Sequence, residues 1–194
     1  MNSKFFNFIA PYLAYIDDGK LFRKPFNWLY IFMAVFNLYI PLYILYVAID
    51  NGIFGSHATA KGVFGFILAW IIIGFVCWIG FQLWWDRKDK IMKIASEKDE
   101  FVVMAPVSHL IQTVGEWLGI LLGLTGFLFG ILSLIALGDV GRSISRDIGI
   151  GFIGAGIWSI ILSPVYGFLI IVFSRFLAEQ IRVLVAIAKN TKKK

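Results

Sequence analysis

Four polar residues recur at helical spacing in an otherwise apolar stretch: His109, Gln112, Thr113 and Glu116, at i, i+3, i+4 and i+7. Farther along, Arg175, Glu179 and Arg182 share one face of a second apolar segment. An imidazole, an amide and a carboxylate facing guanidinium groups can line a polar vestibule or form a docking surface. They can equally anchor helix ends at a membrane boundary, where long charged side chains keep their heads in water. Side chains lean toward the N-terminus of their own helix. If the two segments run in opposite directions, Glu116 and Arg175 lean toward a common depth. A Glu116–Arg175 contact is therefore expected, with Glu179 pairing Arg182 locally.

Harder chemistry finds few residues to work with. His109 and Glu116 supply too few ligands to hold a metal, and His57 is a lone histidine in a loop. The chain has no GxSG with a partnered His, no HExxH, no paired intramembrane Asp and no phosphate-binding loop after a strand. No Asp, Glu, Lys, Arg or His falls near the middle of an apolar run, which argues against a proton-coupled pump. No catalytic residue, cofactor or metal is expected.

A second pattern concerns packing. Gly115, Gly119, Gly123, Gly126 and Gly130 fall on one face of a helix, together with Ser108, Gln112 and Ser133. A later segment carries Gly149, Gly151, Gly154 and Gly156, then Ser159, Ser163 and Gly167. Small residues repeated every four positions let helix backbones approach closely in a membrane. The seam drawn from Gly115, Gly119, Gly123, Gly126, Gly130, Gly149, Gly156, Ser159 and Ser163 can close within one chain, join two copies, or line a pathway.

The elements that carry these residues are apolar. Hydrophobic residues are 59% of the 194, charged residues only 15%, and the mean hydropathy is +0.81, whereas a soluble domain carries roughly 25% charged residues. An all-α membrane protein with four transmembrane helices is expected, at 26–49, 63–85, 107–137 and 148–173. Pro25 should open the first helix and Asp50-Asn51-Gly52 should close it, while Pro41 and Pro164 are kink positions. Trp84-Trp85 reads as an interfacial belt, and Asn37 as a polar residue satisfied by a neighbouring helix. Residues 1–25 form an N-terminal segment in which Phe5, Phe8, Ile9, Tyr12 and Ile16 suit an in-plane interfacial helix or an apolar arm. The connection 86–106 is charged, and its start should extend the second helix. Residues 174–194 form a basic helix end and tail, and nothing at the N-terminus resembles a cleavable signal.

Placing both termini in the cytoplasm puts 15 of the 18 Lys and Arg residues inside, the arrangement the positive-inside rule favours. The net charge of +6 thus reflects orientation and attraction to anionic lipid rather than nucleic-acid binding. The single cysteine, Cys77, cannot form an internal disulfide. The two hairpins, 26–85 and 107–173, are chemically unlike: 23 of 33 aromatic residues lie in residues 1–86, and 12 of 19 glycines between Gly115 and Gly167. No internal repeat relates them, which argues against an inverted-repeat transporter.

The run Ser174-Arg175-Phe-Leu-Ala-Glu179-Gln-Ile-Arg182, followed by Ala188-Lys-Asn190-Thr191, resembles the C-terminal pattern of a bacterial family of small uncharacterised inner-membrane proteins. Gly19-Lys20-Leu-Phe-Arg23 is a fainter likeness. The resemblance covers about 20 residues, and the family usually has fewer spans. It implies the bacterial inner membrane and no particular activity.

These readings converge on a non-catalytic membrane protein acting as an oligomeric bundle or as a subunit of a larger membrane complex. Its partners would be the lipid bilayer and other copies or other membrane subunits. The alternative is an oligomeric channel or small-solute conduit lined by the Gly/Ser faces of the third and fourth helices, with Gln112 and Glu116 at its inner mouth.

Overall fold

The computed structural model describes residues 11, 20–55, 59–96, 103–137 and 157–192. Four long helices account for nearly all of them: α1 (Lys20–Asp50), α2 (Ala60–Ser96), α3 (Met104–Leu132), whose last turn continues as a π-helix over Ser133–Leu137, and α4 (Ile157–Lys192). Each is long and apolar enough to cross a membrane. A span must satisfy every backbone N–H and C=O within its own segment, and a continuous helix does so. The N-terminal in-plane segment lies outside the described residues apart from Pro11. Gly149 and Gly156 also lie outside them.

The helix ends follow local chemistry. α1 closes with Gly52 at φ 70°, a left-handed conformation that suits glycine. Ile53 N–H then reaches Ala48 O at 3.1 Å and Gly52 N–H reaches Ile49 O at 3.0 Å, a pairing that satisfies two terminal carbonyls. Thr59 opens α2 by accepting the Gly62 N–H on its Oγ1 at 3.2 Å. Two starts differ from expectation. α1 begins at Lys20, so Pro25 lies inside it rather than at its first position. α3 begins at Met104, with Pro106 in its first turn, where the missing N–H would have had no helical partner anyway.

Contacts run from α1 to α2, from α2 to α3 and from α3 to α4, the last being the most extensive. Adjacent helices are antiparallel. Near one end Tyr30 of α1 packs edge-on against Trp84 of α2, ring centroids 5.0 Å apart. Near the other, Trp70 of α2 donates its indole N–H to Pro41 O of α1 at 2.8 Å.

The core of the first three helices is aromatic and polar together. Trp84 is wholly buried, and its ring also meets Trp117 of α3 at 6.1 Å. Trp84 is therefore a core residue and not part of an interfacial belt, while Trp85 beside it is exposed. A helix sends adjacent residues about 100° apart, so one of the pair faces α1 and α3 while the other faces outward. Asn37, also wholly buried, accepts the Trp117 indole N–H at 2.9 Å and donates to Met33 O at 2.7 Å. Gly80 of α2 makes room for it, since a Cβ at that position would overlap the Asn37 amide.

α4 docks on α3 backbone to backbone. A Cβ at Gly119 would stand 2.5 Å from the Gly167 carbonyl oxygen, and one at Gly123 would stand 3.3 Å from Gly167 Cα. At Gly130 the neighbours are Ile160 Cγ1, at 2.8 Å, and the Ile160 backbone nitrogen, at 3.1 Å. A Cβ at Gly115 would overlap the Ser174 side chain. Ser159 donates its hydroxyl to Gly126 O at 2.8 Å. The Ser163 hydroxyl is buried and without a hydrogen-bond partner among the described residues.

Candidate functional site

Near the end of the bundle where α1 and α3 begin and α2 and α4 finish, polar side chains from all four helices gather. Glu116 is at the centre, with a side chain 6% exposed. Its Oε1 accepts Arg175 Nε from α4 at 2.9 Å and Gln112 Nε2 from one turn earlier on α3, also at 2.9 Å. Its Oε2 accepts Arg87 Nη2 from α2. One buried carboxylate thus joins three helices. A carboxylate taken out of water is tolerated when it is paired and its lone pairs are filled, and here both oxygens are engaged by charged donors.

The network continues along α4. Arg182 Nη2 donates to Gln112 Oε1 at 2.7 Å, and its Nε approaches Ser108 Oγ at 3.4 Å. Gln112 therefore relays between Arg182 and Glu116, accepting from one and donating to the other. Glu179 takes no part; it is exposed and forms no pair with Arg182. Arg182 turns toward α3, where neutral acceptors are fixed in place, while Glu179 on the same helix lies farther round toward solvent or lipid.

His109 goes elsewhere. It is 5% exposed and leaves the carboxylate cluster for Tyr30 of α1: its Nδ1 is 2.8 Å from the Tyr30 hydroxyl, with the rings 5.8 Å apart. The same hydroxyl lies 3.3 Å from Thr113 Oγ1, and Thr113 donates in turn to the His109 carbonyl at 2.8 Å. The i, i+3, i+4, i+7 run thus divides by face, with His109 and Thr113 toward α1 and Gln112 and Glu116 toward α2 and α4.

Two participants lay outside the sequence pattern. Arg87 follows Trp84-Trp85 in a charged run, where nothing in its local spacing separates it from Lys88 or Lys90. Those two have other partners: Lys88 Nζ lies 3.2 Å from the Trp85 ring centroid, and Lys90 pairs with Asp86 at 2.6 Å. Tyr30 is one of several aromatics on α1, and only its inward position distinguishes it. The available signal was position, since Arg87 stands just beyond the apolar part of α2, on the side of the bundle where α3 begins.

No family model matches the chain, and neither does any curated protein or any solved structure. The class therefore rests on the helices themselves. Four helices of sufficient length and apolarity define a multi-pass membrane protein.

Proposed function

We propose that this chain is a non-catalytic integral membrane protein that works as an oligomeric bundle or as a subunit of a larger membrane complex. The observation that carries the reading is the outer face of α1. Trp28, Phe32, Phe36, Tyr39, Tyr43 and Tyr46 are all exposed there in one continuous stripe. The span runs Pro25–Asp50, which puts Tyr39 about 2 Å and Tyr43 about 8 Å from mid-depth at 1.5 Å per residue, well inside a hydrocarbon half-thickness of about 15 Å. Their rings stack at 5.8 Å, yet neither hydroxyl has a hydrogen-bond partner among the described residues.

An unpaired hydroxyl is costly in hydrocarbon, about 4–8 kcal/mol on transfer to a medium that cannot hydrogen-bond. Lipid chains offer no acceptor; another protein helix does. A phenol both donates and accepts, so the same face of a second copy can satisfy it. The Gly/Ser faces of α3 and α4 are occupied by one another, which favours the bundle over a conduit lined by those faces.

A bacterial inner membrane (suggested by the C-terminal resemblance), two hairpins, and cytoplasmic termini (supported by the positive-inside count) belong to the same proposal. The polar cluster then lies toward the cytoplasmic end of the bundle, where α1 and α3 begin. The test is copy number after extraction into native-membrane nanodiscs, by mass photometry and co-purification. More than one copy or a stoichiometric membrane partner is expected, reduced by Tyr39→Ala with Tyr43→Ala. A wild-type monomer with no partner overturns the reading.

A further inference from the structure

The polar cluster carries more positive charge than it neutralises. Of its three arginines, Arg87 and Arg175 bond one carboxylate, Glu116, and Arg182 bonds only the neutral Gln112 and Ser108. Among the other described charges at this end, Lys88 lies over Trp85, Lys90 is paired with Asp86, Lys93 has a contact of its own, and the exposed carboxylates Asp89 and Glu179 bond none of the three arginines. Each guanidinium has five N–H donors. Arg175 uses its Nε and Nη2 on Glu116, and Arg182 its Nε and Nη2 on Ser108 and Gln112. Their Nη1 groups are unengaged among the described residues.

The two arginines also converge. They are seven residues apart on α4, about 10.5 Å along the axis, but each bends over to α3. Arg175 ends on Glu116 and Arg182 on Gln112, which are one turn apart, about 6 Å, and are bonded to each other at 2.9 Å. Two forks at about one-turn spacing can both donate to the oxygens of one tetrahedral anion. Planar guanidinium matches phosphate oxygens in the bidentate manner that favours arginine for this task. The Arg175 side chain is 55% exposed and Arg182 is exposed as well, so the approach is open. α4 packs on α3 alone among the well-contacted helices, leaving the outward flank of both arginines to the surroundings.

We propose that Arg175 and Arg182, with Arg87 behind them, bind the phosphate of an anionic membrane lipid. The setting favours a lipid over a dissolved anion: Arg175 follows directly on the apolar run that ends at Phe173, and basic pockets between spanning helices suit anionic head groups. This inference rests on the membrane placement proposed above. Resistance of the protein to alkaline carbonate extraction tests that placement separately.

Native mass spectrometry of the detergent-solubilised protein, titrated with phosphatidylglycerol or with phosphatidylcholine, tests the site. The wild type should retain phosphatidylglycerol about tenfold better than Arg175→Gln/Arg182→Gln, the loss of about one charge-assisted contact. Lys192→Gln/Lys193→Gln, which removes as much charge from the tail, should bind as the wild type does. Glu116 keeps Arg87 in the double variant, so no buried carboxylate is stranded. Arg182→Gln alone, whose partners Gln112 and Ser108 are neutral, provides a second variant with less risk to folding. It should lose part of the same preference. Equal retention of the two lipids, or unchanged retention by the folded variants, overturns the proposal. If millimolar inorganic phosphate displaces the lipid, and binds with the same arginine dependence, the phosphate chemistry stands and the lipid as its source is overturned.

Discussion

Arg87, near the end of α2, and Glu116, in the first half of α3, form an ion pair with side chains only 14% and 6% exposed. Glu116 also holds Arg175 of α4 at 2.8 Å, but that arginine's side chain is 55% exposed. The two arginines are therefore unequal partners of the same carboxylate, because one is open to the surroundings and the other is not.

Arg87→Gln should destabilise the folded bundle by about 3 kcal/mol, as removal of one member of a buried pair does. Arg175→Gln should cost about 1 kcal/mol or less, as for exposed pairs. Denaturant unfolding in mixed micelles measures both. The opposite ranking would show that Glu116 is held chiefly from α4.

Gly119→Ala should weaken the α3–α4 interface by about 2 kcal/mol, since its methyl would meet the Gly167 carbonyl at 2.5 Å and backbone cannot step aside as a flexible side chain can. Gly74→Ala is the contrasting case. Nothing lies within 4 Å of a Cβ there, and alanine favours a helix by up to about 1 kcal/mol. Thermal unfolding of both variants should move in opposite directions.

Gly80→Ala should displace the Asn37 amide and so break its bond to the Trp117 indole. Asn37→Ala alone leaves that indole N–H unpaired and opens a small void, at roughly 1–3 kcal/mol. The double variant fills part of the void with the new methyl. Its loss should be smaller than the sum of the two single losses, and strict additivity in the cycle would mean that the two residues do not share space.

Tyr30→Phe should cost about 1–2 kcal/mol, because it removes the hydroxyl 2.8 Å from His109 Nδ1 and leaves a buried imidazole nitrogen without a partner. His109→Phe/Tyr30→Phe removes both polar groups and should recover part of that stability. Chemical unfolding of the pair decides it, and an unaffected Tyr30→Phe would mean that His109 finds another partner.

Four helices long and apolar enough to cross a membrane, and the C-terminal stop of α1, were legible in the sequence because both are local properties. A spanning helix must stay apolar for about 20 residues, and a chain that reverses at Gly52 needs the residue that tolerates a positive φ. The glycine periodicity from Gly115 to Gly130 marked a face of α3 for the same reason. Helix starts were less legible. Met104 begins its helix just upstream of Pro106, where a proline costs little that the helix end had not already forgone. Lys20, by contrast, begins its helix five residues before Pro25, which gives up a bond to the Leu21 carbonyl. Trp84 and Trp85 are alike in sequence, and only the direction in which each faces makes one core and the other surface.

What the chain determined by itself was how much of it can lie in a bilayer, and as what kind of backbone. Spacing and lean anticipated one meeting of side chains, Glu116 with Arg175, but only the tertiary structure decided the others: Glu116 with Arg87 across 29 positions, Asn37 with Trp117 across 80, and Tyr30 with His109 across 79. Helical spacing specifies a residue's face and depth on its own helix. It leaves open which other helix stands opposite, because that depends on how closely small residues such as Gly119 and Gly167 let two backbones approach.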